Sequence, residues 1–302
     1  MITPGPESLL AAAFSGVVAV AVTRAIERWG GAVGGILGTL PTTIVPAAVG
    51  MAWAAEDPGA LTRSLAIVPA GMLCNALFLA TWRELPARWG TARLGPMVAA
   101  SLAVWSLCGL AALAASHRLL EAGVGPSTLG LLGVAGNALL GAWICWHPGP
   151  APAGSRPVGA AMLLARGSMA ALAVGTGVWI ADLGYPLVAG LASVFPAIFM
   201  TAMVGLWWSQ GPSVPTGAAG PMILGGVSVS LYALLAMRTL PALGAGAGSL
   251  VAWLGAVLLW SVPSYLWLRG RARTQPRGRL TPLPAPAGAP GRPAAPGVWK
   301  RG

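Results

Sequence analysis

The chain has 302 residues, of which 56% are hydrophobic and only 8% charged, with a mean hydropathy of +0.74. Soluble domains carry about 25% charged residues, so a water-soluble globular fold is excluded and a polytopic integral membrane protein is expected. The formal charge of +11 is no nucleic-acid signal, because eight of the eighteen basic residues fall from Arg269 onward, where there is no acid, and stacking platforms and groove-reading motifs are absent.

Apolar runs of about 20 residues, enough to cross a bilayer as a helix, occupy 8–28, 31–54, 62–83, 94–115, 126–146, 158–181, 185–208, 216–237 and 246–268. The expected fold is therefore all-α, with nine transmembrane helices. The first run is preceded by Glu7 and no positive charge, and is followed by Arg24 and Arg28. It lacks the basic start of a cleaved signal and suits a retained helix whose amino end faces away from the cytoplasm.

The second run begins with overlapping small-residue pairs, Gly30/Gly34, Gly31/Gly35 and Gly34/Gly38, which permit close helix approach. It then meets Pro41 and Pro46. Each proline removes an N–H donor and clashes with the carbonyl four residues earlier, so a break is expected near the middle of the span. Polar groups beside it are small and neutral: Thr39, Thr42 and Thr43. The third run carries Asn75 and the fifth Asn137; such amides serve interhelical hydrogen bonds or a ligand. In the sixth, Arg166 lies eight residues beyond Val158, about 12 Å along a helix. It either snorkels to the interface or is a buried cation facing a solute carboxylate. The seventh run repeats the proline break at Pro196, flanked by Ser193 and Thr201, and the eighth carries Ser230.

These features recur at one spacing. An offset of 155 pairs Pro41 with Pro196, Gly35 with Gly190, Trp53 with Trp208, Arg83-x-Leu85-Pro86 with Arg238-x-Leu240-Pro241, and Trp105-Ser106 with Trp260-Ser261. It also pairs Asn75 with Ser230 and Glu27 with Asp182. Five spans, an odd number, separate each helix from its copy, so the copies are expected to run in opposite directions as a 5+4 inverted-topology repeat. The expected units are 1–157 (helices 1–5), 158–268 (helices 6–9) and a disordered, basic, Pro-rich tail over 269–302. With the amino end outside, cytoplasmic segments hold Arg24, Arg28, Arg83, Arg88, Arg93, Arg156 and the tail, and outer segments only Arg63, Arg118 and Arg238. This bias orients the chain with its tail inside, where the tail can also attract anionic lipid.

Matched breaks in two inverted halves point to a midplane solute site. The expected lining is Pro41, Thr42, Thr43, Asn75, Ser193, Pro196, Thr201, Ser230 and Arg166. Glu27 and Asp182 stand on opposite faces as candidate gates, or as plain solvated loop carboxylates. Nothing calls for a metal or cofactor: the histidines, His117 and His147, sit at predicted helix ends, and Cys74, Cys108 and Cys145 are isolated in apolar runs, too far apart for a zinc site or a disulfide framework. No nucleophile has a base near it in the predicted topology, so the chain is not expected to be an enzyme.

The stretches Arg24 to Trp53 and Trp179 to Trp208, each a long apolar helix, a polar turn and a small-residue helix ending in a central proline, resemble the GlpM-like membrane proteins. The resemblance implies a bundle of small helical units and brings no substrate with it. The function expected is a secondary transporter of the bacterial inner membrane, moving a small solute between the two broken helices. The alternative is a non-transporting membrane scaffold or assembly factor whose tail recruits a partner.

Overall fold

The computed structural model describes residues 3–29, 40–89, 93–146 and 159–274, and every regular element among them is helical. The elements are α1 (Pro6–Trp29), α2 (Ile44–Ala54), α3 (Pro58–Trp89), α4 (Leu94–Glu121), α5 (Pro126–Trp146), α6 (Ala160–Asp182), α7 (Pro186–Ser193), α8 (Ala197–Gln210), α9 (Ser213–Ala256), a π-helical turn (Val257–Ser261) and α10 (Val262–Thr274). The glycine pairs over 30–38, Thr39, Arg156, His147 and the tail from 275 lie outside the described residues, as do the side chains of Arg24, Glu27, Arg28 and Arg88.

Among the described residues, six helical stretches are long and apolar enough to cross a membrane by length and composition, the fifth spanning α7 and α8 across their break and the last running over 59 residues from Ser213 to Arg271. A straight helix of that length would be roughly 90 Å long, three times the thickness of a bilayer core. The chain reverses instead at Gly244, with φ 78° and ψ 170°, a conformation open essentially to glycine alone. The two limbs of α9, 213–243 and 245–256, then lie antiparallel: Tyr232 and Ser249 share a 2.6 Å hydrogen bond, and Trp260 Nε1 donates to the Leu224 carbonyl at 2.8 Å.

Helix α3 is the centre of the bundle and α4 its rim, since 78% of the apolar window of α3 is buried against 17% for α4. Around α3 pack the first limb of α9, then α5, α4 and α7, with Phe78, Trp82 and Tyr232 wholly enclosed. The outward faces are apolar as well: Leu107, Leu110, Leu139, Trp143, Leu172 and Trp208 are each more than half exposed. Apolar side chains on both the inside and the outside of a helical bundle suit a hydrocarbon solvent.

Two interfaces dominate, α1 with α6 and α3 with the first limb of α9. Both are antiparallel. In the first, Gly16 faces Gly167, Ala12 faces Gly175 and Gly5 approaches Asp182; a Cβ on Gly167 would come within 2.8 Å of Val20 and 3.3 Å of the Gly16 carbonyl, so small residues set the helix separation. Ser15 Oγ bonds the carbonyl of Ala170, 155 residues away. In the second, Thr216 Oγ1 donates to the Trp82 carbonyl at 3.3 Å, and Gly226 faces Met72. Helix α3 starts at Pro58 and α9 at Ser213, the same interval.

Charged groups gather at the two ends of α5. At its C-terminus, where the helix dipole is negative, Arg83 Nη1 donates to the Ile144 carbonyl at 3.1 Å and Arg271 Nη2 to that of Trp146 at 3.0 Å. Arg271 also stacks on the Trp146 ring, 4.6 Å from its centroid. At the other end Arg238 reaches Ser127 Oγ at 3.4 Å. Arg83 explains why α3 outruns its predicted span of 62–83: its charge ends the hydropathic run, yet its guanidinium is held by α5 and the helix continues to Trp89.

Candidate functional site

The two proline breaks have the same hydrogen bonding. At the first, Thr42 N bonds the Leu40 carbonyl at 2.9 Å across Pro41; at the second, Ala197 N bonds the Phe195 carbonyl at 2.7 Å across Pro196. Both prolines are buried at the centre of a three-residue turn, and these donors, acceptors and prolines correspond at the 155 interval. Helix α2 starts directly after the first turn, at Ile44, and α8 after the second. Each proline lacks an N–H, and at the second break the entering helix, α7, ends with carbonyls that need another donor.

Asn75 supplies one. Its Nδ2 donates to the Val194 carbonyl at 2.9 Å and contacts Met72 Sδ at 3.4 Å. This bond fixes the orientation of the amide, because only the nitrogen can serve a carbonyl. The other end of the same side chain, Oδ1, is buried without a hydrogen-bond partner, although Asn75 is only 2% exposed.

Between the breaks lies a cavity of about 200 Å³. Its wall includes Thr42, Thr43, Asn75, Ser193 and Arg166, so five predicted site residues from four parts of the sequence converge on one space. Leu40 and Phe195, Thr42 and Ala197, Thr43 and Ile198, Ile44 and Phe199, Ser15 and Ala170, and Ala19 and Val174 all line it; each is a pair 155 residues apart. Arg166 is the one charged residue among the described lining. It projects from α6 beside Gly167, where the close approach of α1 brings Ser15 and Ala19 to the same wall.

The remaining predicted residues are elsewhere. Pro41 and Pro196 shape the turns that frame the cavity without lining it. Thr201 is turned back on its own helix, its hydroxyl bonded to the carbonyls of Ala197 and Ile198 at 2.9 and 3.0 Å. Ser230 accepts a bond from Asn137 Nδ2 at 3.2 Å, which ties α9 to α5. Asp182 is exposed at the end of α6, and the Glu27 side chain is outside the described residues. The sequence reading missed Ser15 and Ser228, which also line the cavity. Ser15 could have been found from the repeat, since it sits in a small-residue stripe, Ala12, Ser15, Gly16 and Ala19, facing the equivalent stripe on α6.

Ser193 Oγ donates to the Gly190 carbonyl at 2.7 Å, while the hydroxyls of Thr42 and Thr43 are engaged by no described residue. No group of three His, Cys, Asp or Glu that could hold a metal occurs among the described residues. The arrangement offers a cation, hydroxyls and an amide oxygen in an apolar enclosure, the means to hold a solute by charge and hydrogen bonds.

Long apolar helices and apolar outer faces around a buried core define an all-α, polytopic membrane protein. Comparison with protein-family models, curated proteins and solved structures finds no match to the chain.

Proposed function

We propose that the chain is a secondary transporter, a permease that carries a small solute through the cavity between its two proline breaks. The observation that carries this reading is the construction of the cavity wall from residue pairs separated by 155 positions. A pseudo-two-fold axis through the cavity would bring such pairs together. In a nine-span, 5+4 inverted repeat, that axis lies in the membrane plane and relates an outward to an inward gate. The antiparallel packing of α1 on α6 and of α3 on α9, each a helix against its own copy, supports the same symmetry.

A scaffold needs no cavity at this level, and a buried amide oxygen without a hydrogen-bond partner, Asn75 Oδ1, would only destabilise one. By the distribution of arginines, the permease belongs to a bacterial inner membrane with its amino end outside and its basic tail in the cytoplasm, against anionic lipid.

Alternating access is tested by placing a single cysteine at Thr43 in a chain whose three native cysteines are replaced. In intact cells and in inverted vesicles, Thr43→Cys should react with a membrane-impermeant thiol reagent from both sides. Reaction from one side only, or from neither, would argue for a static bundle.

A further inference from the structure

Resting on the permease reading above, we infer that α5, the one predicted span without a copy in the repeat, is a fixed post on the pseudo-two-fold axis about which the two halves rock, and that the Asn137–Ser230 hydrogen bond is the latch of the state seen here. The packing of α5 carries the first part. A Cβ on Gly133 would come within 2.7 Å of Pro69 Cβ and 2.8 Å of Ala70 N, and a Cβ on Gly141 within 3.0 Å of Leu224 Cα. Pro69 and Leu224 are 155 residues apart, and the two glycines lie four residues to either side of Asn137. Small residues thus let equivalent points of the two halves press on one helix. The order of contacts agrees. On α3, Pro69 meets Gly133, Leu73 meets Gly136 and Arg83 bonds the Ile144 carbonyl, so the contacts climb together. On α9, Arg238 reaches Ser127, Leu234 and Met237 meet Gly130, and Leu224 meets Gly141, so they run in opposite order. A two-fold axis crossing α5 at Asn137 produces both series, turning α3 onto α9 and α5 end for end onto itself. A copy of α5 would have to occupy the place of α5, which accounts for a repeat of five spans and four.

The latch follows from what Asn137 bonds. It is wholly buried, its Nδ2 donates to Ser230 Oγ at 3.2 Å, and its Oδ1 has no partner. Asn75, the equivalent of Ser230 in the first half, is turned elsewhere, its Nδ2 serving the Val194 carbonyl. In an inverted repeat the two halves exchange poses when access changes sides. Ser230 then takes the pose that Asn75 has here and leaves Asn137, so the bond belongs to one state only. The glycine contacts are unequal in the same way. Gly133 is approached more closely by the first half than Gly141 by the second, and the exchange reverses that order.

Thr43→Cys in the chain without native cysteines reports both states, through its initial rates of labelling by the impermeant reagent in intact cells and in inverted vesicles. Ser230→Ala should move the ratio of the two rates by roughly fivefold, one rate rising and the other falling, and should move it no further in the Asn137→Ala background. Gly133→Ala should move the ratio in the same sense as Ser230→Ala, and Gly141→Ala in the opposite sense, because the axis makes the two glycines equivalent in opposite states. A bond that only holds the bundle together predicts loosening, in which both rates change in parallel. Parallel change or no change in Ser230→Ala, or shifts of the same sense from both glycine variants, would overturn the proposal. Ser230→Ala loses only a hydroxyl, so it decides the matter even where a glycine variant folds poorly. Two-sided labelling of Thr43→Cys without the opposed shifts would keep the permease and discard the post and latch; one-sided labelling would discard both.

Discussion

A proline in a membrane helix strips carbonyls of their donors, and here the repair at the second break falls to a side chain on another helix. Asn75 donates to the Val194 carbonyl from α3. Replacing it with leucine should leave that carbonyl unpaired and cost about 1–3 kcal/mol, read as a lower midpoint in thermal unfolding in detergent. Thr201→Val is the matched control: its hydroxyl bonds only its own helix, where the backbone bonds persist without it, so the midpoint should barely move. Equal loss in the two variants would mean that Asn75 does not support the break. A glycine makes the companion case. A Cβ at Gly190 would run into the Ser64 carbonyl and Ile67, so Gly190→Ala should push α7 off α3 and cost roughly 3 kcal/mol. At Gly246 a Cβ meets nothing within 4 Å, and Gly246→Ala should be neutral or mildly stabilising by virtue of helix propensity. The same melting assay ranks the two.

At the scale of elements, the sequence located the helices where hydropathy is uniform and missed what geometry decides. The predicted spans 126–146 and 158–181 fall within two residues of α5 and α6, because their ends are marked by proline or polar segments. The break at Pro196 was legible, since a proline's missing N–H acts whatever surrounds it. The reversal at Gly244 falls between the predicted spans 216–237 and 246–268, but the residue that makes it was not legible: the surrounding Gly-Ala-Gly-Ala-Gly offers several glycines, and only packing selects the one with positive φ. Nor was the fate of Thr201 and Ser230 legible. Both hydroxyls lie at suitable depth, but a threonine in a helix can satisfy itself on the preceding turn, and Ser230 is claimed by Asn137 across the bundle. Depth is written in the sequence and direction is not. The Gly244 turn yields its own expectation. Gly244→Ala must place an L residue at φ 78° and ψ 170°, which costs about 1–3 kcal/mol or reshapes the hairpin. Unfolding should occur at lower temperature and the indole of Trp260, held on the Leu224 carbonyl, should change its fluorescence. An unchanged melt and spectrum would show that the limbs are held together without the turn.

At the scale of the whole molecule, the sharpest consequence of an inverted repeat is that equivalent residues face opposite sides of the bilayer. Asp57 and Pro212 are such a pair, 155 residues apart, both exposed, and each beside the first residue of a long helix, Pro58 for α3 and Ser213 for α9. A duplication with an even number of spans per unit would put both on one side; one with five puts them on two. The distribution of arginines further assigns Asp57 to the outside and Pro212 to the cytoplasm. In a chain without native cysteines, Asp57→Cys should therefore react with an impermeant maleimide in whole cells, and Pro212→Cys only in inverted vesicles. Neither substitution enters the apolar core, so folding is not at stake. Labelling of both from one face would remove the inverted repeat and the symmetry argument for the central cavity, whereas labelling from opposite faces in the reverse sense would preserve the repeat and overturn the orientation alone.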